Sequence, residues 1–565
     1  SRMVGQFYRH NINNTFMKLK NLFLSALCVI TLGMLASCTE KTPEGPVYSD
    51  KPFDAISLEV DGETVEGVVV DNTISFRFTT AENFSAAKLI LKVNDGWKLV
   101  FPADPGNYDV STDPNIYFTD PNGKKVQYVV TITSNALPVA DGSKVSVEGG
   151  YAVIYNVATK AFVITYAAGM DRSKVTLVFG EGALMEGAKV ENPTVDLSEG
   201  PAEITITVGT TTKKFPVSID YSAVLGDPKA WGFEETTTDA QRAKIPSLTV
   251  LNSKALKKQV PAPNTGGETQ AWWDNSGYED QIAKMGLLGD YDASKAMVDM
   301  TTCDFTIVTF NERDYKGKII SDATAVSSGK SAESVNSLIT MSGCPAAWTC
   351  WVKSDGQIVS KASASWWTGV KAKGTSHGLC FGFDSNGKMG LKRITPDPSA
   401  DIFHVLGDFR KASDFGFDYK TKLDDTSYAP FRDDFKVEGE DWAVTGAAYF
   451  NPALVVDGYK VRFADAMAND GDTEVLGQGF NGTRSRCFIG RTIDNKLGLA
   501  TINGKYMTIM QGAYVLADLG WTDVYYVGGD NYQADSFQPT IVIDGAVVAG
   551  QEGQMAKYVI AFDAK

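Results

Sequence analysis

Arg484-Ser-Arg-Cys-Phe-Ile-Gly490, Leu497-Gly-Leu-Ala500, Asn503-Gly504, Val515-Leu-Ala-Asp-Leu-Gly520 and Asp523-Val-Tyr-Tyr-Val-Gly-Gly-Asp-Asn531 follow one another near the C-terminus, and their reading decides the fold of that region. Two short apolar strands joined by an Asn-Gly hairpin signal are expected first, because Asn-Gly readily takes the positive φ angles of a tight turn. A helix closed by Gly520 follows, and a third strand then runs into the glycine pair Gly528-Gly529. The predicted order is strand, turn, strand, helix, strand, loop.

On these residues the chain resembles the phosphodiester glycosidases, a family of N-acetylglucosamine-1-phosphodiester alpha-N-acetylglucosaminidase-like enzymes. The matching segments are Arg486-Cys-Phe-Ile-Gly490, Asn503-Gly-Lys505, Leu519-Gly520 and Val527-Gly-Gly-Asp530, with Phe450-Asn-Pro-Ala-Leu-Val-Val-Asp-Gly458 upstream. The likeness extends over residues 301–565. Two departures stand out: Gly528 occupies the place of the family's aspartate, with an acid two positions later at Asp530, and Ala346-Ala-Trp-Thr-Cys-Trp351 lacks the family's Asn-Gly-Gly.

The resemblance implies a site for a sugar-1-phosphodiester. Such a site must hold an anionic phosphate and stabilise oxocarbenium character at the anomeric carbon, with an acid or carboxylate where charge develops. Arg486 stands where the family has its arginine, and a planar guanidinium binds phosphate oxygens bidentately. Arg484 and Arg491 flank it. Gly528 and Gly529 would let backbone N–H groups approach an anion, with Asp530 as the acid and Asn531 as a hydroxyl ligand. The catalytic candidates are therefore Arg486 and Asp530, and the substrate-binding candidates are Arg484, Gly528, Gly529 and Asn531. A plain turn in which Asp530 and Asn531 bond only the backbone accounts for the same residues.

Nearer the N-terminus, Met17-Lys-Leu-Lys20, an apolar run from Leu22 to Leu35 and Leu35-Ala-Ser-Cys38 read as a secretory signal with a lipoprotein processing box, so Cys38 is the expected lipid-attachment residue. The run is about 14 residues, short of the ~20 that span a bilayer. Residues 39–50 are too polar to bury a core and read as a flexible tether. The expected location is a bacterial outer membrane or cell surface, with membrane contact through the lipid.

The remaining chain has ample material for several cores, with 565 residues in all, 43% hydrophobic and 11% aromatic. A net charge of −15 argues against nucleic acid as a partner, because phosphate binding needs clustered Lys and Arg. Seven cysteines without CxxC spacing and three histidines argue against a structural zinc site, and no cofactor is expected. Cys344 and Cys350 could bridge, although buried free thiols are the plainer reading.

Residues 51–137 carry short alternating or apolar strands punctuated by Asn-Asp-Gly, Asp-Pro-Gly and Pro-Asn-Gly turns, and residues 138–225 repeat the plan at a period of about 85 residues. Both resemble the immunoglobulin-like modules of Bacteroidetes surface lipoproteins, which act as spacers. Residues 226–300 read as a transition. Its Trp272-Trp273, like Trp366-Trp367 further on, could stack on a sugar or simply plug a domain contact. From 301 to 565, strands mixed with an amphipathic helix at 331–341 predict an α+β domain. The acidic run Asn469-Asp-Gly-Asp-Thr-Glu474 lacks the spacing of a calcium loop and reads as solvated.

The expectation is thus a multidomain lipoprotein: two all-β immunoglobulin-like sandwiches followed by an α+β phosphodiester glycosidase-like domain that hydrolyses or binds glycans or glycosyl phosphodiesters. The alternative is a non-catalytic glycan-binding, adhesion or structural protein.

Overall fold

The computed structural model describes residues 48–262, 296–321, 329–344, 351–360, 378–397, 399–415, 440–449, 453–461, 465, 483–529 and 537–565. Cys38, both tryptophan pairs, Cys350, the acidic run at 469–474, Asp530 and Asn531 lie outside the described residues. By contact density the chain divides into two units, one comprising Ser1–Phe76 with Asn83–Ile132, the other Arg77–Glu82 with Thr133–Lys565.

In the N-terminal region a three-stranded sheet centred on Phe53–Val60 accompanies a five-stranded one running from Val68–Val70 to Lys98–Phe101. Alternating burial along Thr73–Phe78 places Ile74, Phe76 and Phe78 inside, as a strand with one wet face requires.

A three-plus-five arrangement recurs over residues 145–220. Val145, Val147, Val175 and Leu177 from the smaller sheet meet Phe162, Ile164, Ile204, Ile206, Phe215 and Val217 from the larger in one core. The predicted hairpin forms there, with Val153–Asn156 paired to Ala161–Thr165. Ala161–Thr165 then lies parallel to Thr211–Asp220, a long-range pairing that no local pattern announces.

The C-terminal part is organised by one eight-stranded antiparallel sheet. Its strands are β1 (Glu234–Glu235), β2 (Thr249–Ser253), β3 (Phe305–Asn311), β4 (Ala453–Val456), β5 (Tyr459–Lys460), β6 (Arg486–Thr492), β7 (Lys496–Ile502) and β8 (Trp521–Gly529), in the spatial order β1-β2-β3-β7-β6-β8-β4-β5. Two of them, β1 and β2, come from the segment read as a transition. Both faces of the sheet are covered, which is why β3, β6, β7 and β8 read as apolar runs without clean alternation.

One face packs Phe305, Phe488, Ile502, Val524 and Tyr526 against the helix Ile509–Asp518. The other packs Val308, Ile489, Leu499 and Val527 against residues of a five-stranded sheet (Ile339, Ile541, Ile560) and a six-stranded one (Phe381, Phe383).

The helix starts at Thr508, whose hydroxyl accepts from the Gln511 N–H while the Gln511 side chain accepts from the Thr508 N–H. The Gln511 amide also donates to the Pro261 carbonyl at 2.9 Å, fastening the helix to a segment 250 residues earlier. Gly520 takes φ 92° just past its end, where a side chain would be strained.

Three expectations are corrected. The C-terminal region is not α+β: among the described residues the α-helices are Pro228–Trp231, Asp239–Lys244 and Ile509–Asp518, and apart from short 3-10 turns the rest of the regular structure is sheet. Residues 331–341 do not form an amphipathic helix. They make a 3-10 turn at Ala332–Ser334 and the strand Ile339–Ser342, whose backbone is claimed by Ile541–Ile543 on one side and Val559–Ala564 on the other. Asn503-Gly504 does not join β6 to β7. That turn lies at residues 493–495, with Asn495 at φ 61°, and Asn503-Gly504 instead leads from β7 toward the helix.

Cys344 is buried, and its candidate partner Cys350 lies outside the described residues. Among the described residues no helix is long and apolar enough to cross a membrane.

Candidate functional site at the Arg486 end of the central sheet

Register brings the predicted residues of β6 and β8 together. Arg486, the first residue of β6, lies opposite Ile502 at the end of β7 and opposite Gly529 at the end of β8. Ser485 and Asn503 therefore meet at the same end, where the Ser485 hydroxyl accepts from the Gly504 N–H at 3.0 Å. An antiparallel hairpin followed by a helical return has to place these termini side by side.

Arg486 is only 2% exposed. Its side chain lies on the helix-facing side of the sheet, with the guanidinium carbon 5.7 Å from the centre of the Tyr526 ring and one terminal nitrogen donating to the Tyr526 hydroxyl at 3.3 Å. A flat cation over an aromatic face is a stable placement for a guanidinium withdrawn from water. On the other side of the sheet the Cys487 thiol reaches the Gly528 carbonyl at 3.3 Å and the Ser342 carbonyl at 3.6 Å, and burial pushes its pKa well above the usual thiol value.

Asn503 was read only as a turn residue, yet it is 2% exposed and neither atom of its carboxamide has a hydrogen-bond partner. Leaving such a group dry and unanswered costs about 1–3 kcal/mol, so its presence calls for an explanation. The signal available in the sequence was its place directly after the apolar run of β7, which the register sets level with Ser485. Tyr526 was missed as well. It precedes the glycine pair by two residues in an apolar strand, where an aromatic reads as core.

Gly528 and Gly529 are buried residues of β8, and close packing accounts for both. A Cβ on Gly528 would stand 3.0 Å from Cys344 Cα, and one on Gly529 would stand 2.0 Å from the Ser485 carbonyl oxygen. The aspartate that the resembled family carries at position 528 would need the Cys344 backbone to move.

Arg484 is half-buried, and its N–H donates to the Met507 carbonyl. Arg491 does not join the group: five residues along β6, roughly 17 Å at the usual strand rise, it forms a bidentate pair with Glu312 at 2.8 Å for both bonds. Among the described residues no cluster of His, Cys, Asp and Glu could hold a metal ion.

No protein-family model matches the chain, and no curated protein does. Solved structures superpose only loosely. A candidate exported protein from Burkholderia pseudomallei overlaps 60% of this chain and 98% of its own, at 11% identity and a TM-score of 0.32. A hypothetical protein from Synechocystis overlaps 90% and 96%, at 10% identity and a TM-score of 0.30. A candidate glycoside hydrolase from Bacteroides thetaiotaomicron overlaps 73% and 96%, at 9% identity and a TM-score of 0.15. Likeness at this level carries nothing over to the present chain, whose function has to be argued from its own residues.

Proposed function

We propose that this chain is an exported lipoprotein, held at an outer membrane or cell surface through Cys38, whose C-terminal β domain receives a glycosyl phosphodiester or related anionic glycan at the Arg486 end of the central sheet. The observation that carries this reading is the buried, unbonded carboxamide of Asn503, one residue past the register partner of the buried Arg486 at the same end of the sheet. A sugar hydroxyl or phosphate oxygen would satisfy that amide, and the guanidinium would complement the ligand's charge.

In this scheme Arg486 holds the phosphate and Asn503 orients the ligand. Asp530, one residue beyond β8, assists departure of the phosphate oxygen as oxocarbenium character develops. A second reading, binding without hydrolysis, is favoured by the close approach at Gly528, where a side chain would crowd the Cys344 backbone.

Calorimetry and turnover with an aryl glycosyl phosphodiester test both. Asn503→Ala and Arg486→Lys are expected to weaken binding at least tenfold while melting close to the parent protein. Asp530→Asn is expected to remove turnover and keep binding. Unchanged affinity in both folded Arg486 and Asn503 variants would overturn the assignment, and absence of turnover in a parent protein that binds would select the second reading.

A further inference from the structure

At the end of the central sheet away from Arg486, a cavity of about 470 Å³ opens between the start of β8, the β4–β5 hairpin and residues 408–414. Asp523, Tyr525 and Arg491 form its floor. The Asp523 carboxylate is 7% exposed, and one oxygen accepts from the Asp457 N–H at 3.1 Å and the Tyr525 hydroxyl at 3.3 Å. Among the described residues no cation stands within ion-pair distance of Asp523, because Arg491 is committed to Glu312.

The wall is aromatic: the Phe409 and Tyr459 rings lie 6.2 Å apart, and the Lys411 ammonium rests 4.2 Å from the centre of the Tyr459 ring. Exposed Asp408, Asp414 and Asp457 complete the rim, and Lys392 pairs with Asp408. Among the described lining residues, with Arg491 and Asp408 each balanced by an outside partner, the carboxylates of Asp414, Asp457 and Asp523 outnumber the single ammonium of Lys411, while Arg410 donates to the Asp414 carbonyl. That excess of negative charge repels phosphates and carboxylates. A π-face flanked by carboxylates instead suits an ammonium group, and Lys411 already fills that role from within the chain.

We propose that this cavity binds a small organic cation bearing a protonated primary amine, which takes the Tyr459 face from Lys411 and pairs with Asp457 and Asp523. The site is independent of the Arg486 end, and neither assignment needs the other.

The test is calorimetry of the full chain with 1,5-diaminopentane, with glucose and inorganic phosphate as neutral and anionic controls. The amine is expected to bind with an affinity that falls as salt is raised, and the controls are expected to give no heat. Asp457→Asn keeps a residue suited to the φ of 49° at that turn and is expected to weaken the amine at least tenfold. Lys411→Met, which vacates the ring, is expected to tighten it at least threefold. No binding of the amine at millimolar concentration, unchanged binding in Asp457→Asn, or weaker binding in Lys411→Met would each overturn the proposal.

Discussion

Asp523 shows how one residue's surroundings decide its chemistry. Burial is the leading influence and raises its pKa above the ordinary aspartate value, with the Asp457 N–H and Arg491 acting in the opposite direction. A carboxyl raised in the folded state contributes stability that is complete below the unfolded value near ~3.9 and is lost as pH climbs through the folded value. Asn at this position can accept the same two hydrogen bonds without ever ionising. Asp523→Asn should therefore melt above the parent protein at pH 8, with the difference disappearing by about pH 4. Thermal melts at the two pH values check this, and a gain that is larger in acid would contradict it. Arg491 and Glu312 illustrate the complementary case, in which two charges leave water together with matched bidentate geometry. The sequence placed Arg491 next to Arg486, and strand rise carries it to the opposite end of β6.

At the scale of elements, the helix Ile509–Asp518 is the part of the C-terminal region that was most legible. Its reciprocal Thr508–Gln511 cap, its apolar face and the terminal Gly520 all lie within a dozen or so consecutive residues. Thr508→Ala should lower the stability of the unit that contains it by about 1 kcal/mol, since the cap is buried and both of its bonds are lost or loosened. Urea unfolding followed by tryptophan fluorescence would measure this, and a change of only a few tenths would show that the Gln511–Pro261 bond anchors the helix alone. Residues 331–341 were misread because a short mixed-polarity stretch satisfies the helical period as well as the strand period. The backbone pairing that settles the matter comes from strands more than 190 residues later in the chain. Asn503-Gly504 was misplaced for a related reason. A turn signal announces a change of direction without saying which element comes next.

At the scale of the whole molecule, the sandwich over residues 145–220 and the central sheet are fastened through Arg172. It donates to the Ile493 carbonyl at 3.0 Å in the β6–β7 turn and to the Tyr221 hydroxyl at 3.2 Å. Lys388, in a turn of the six-stranded sheet, also pairs with Glu199 of the sandwich. Arg172→Ala should cost roughly 1–2 kcal/mol and split the thermal transition of that unit, with the sandwich melting first. Scanning calorimetry distinguishes this from a single transition of unchanged shape, which would show the junction to be held mainly by its other contacts.

The sequence by itself determined the strand-rich character of residues 51–225, the helix closed by Gly520, the apolar strands around 486–490, 497–500 and 523–527, and the grouping of Arg486 with the glycine pair. Each rests on local periodicity or on turn and cap chemistry, which act over a few residues. Only the tertiary structure decided that the C-terminal region is built from stacked sheets and that Gly528 and Gly529 serve close packing. The same holds for the burial of Asn503 without a partner and for the opening of the Asp523 cavity at the other end of the sheet. Those outcomes depend on which distant backbone pairs with which strand and on what lies above each face, and neither is written in the spacing of neighbouring residues.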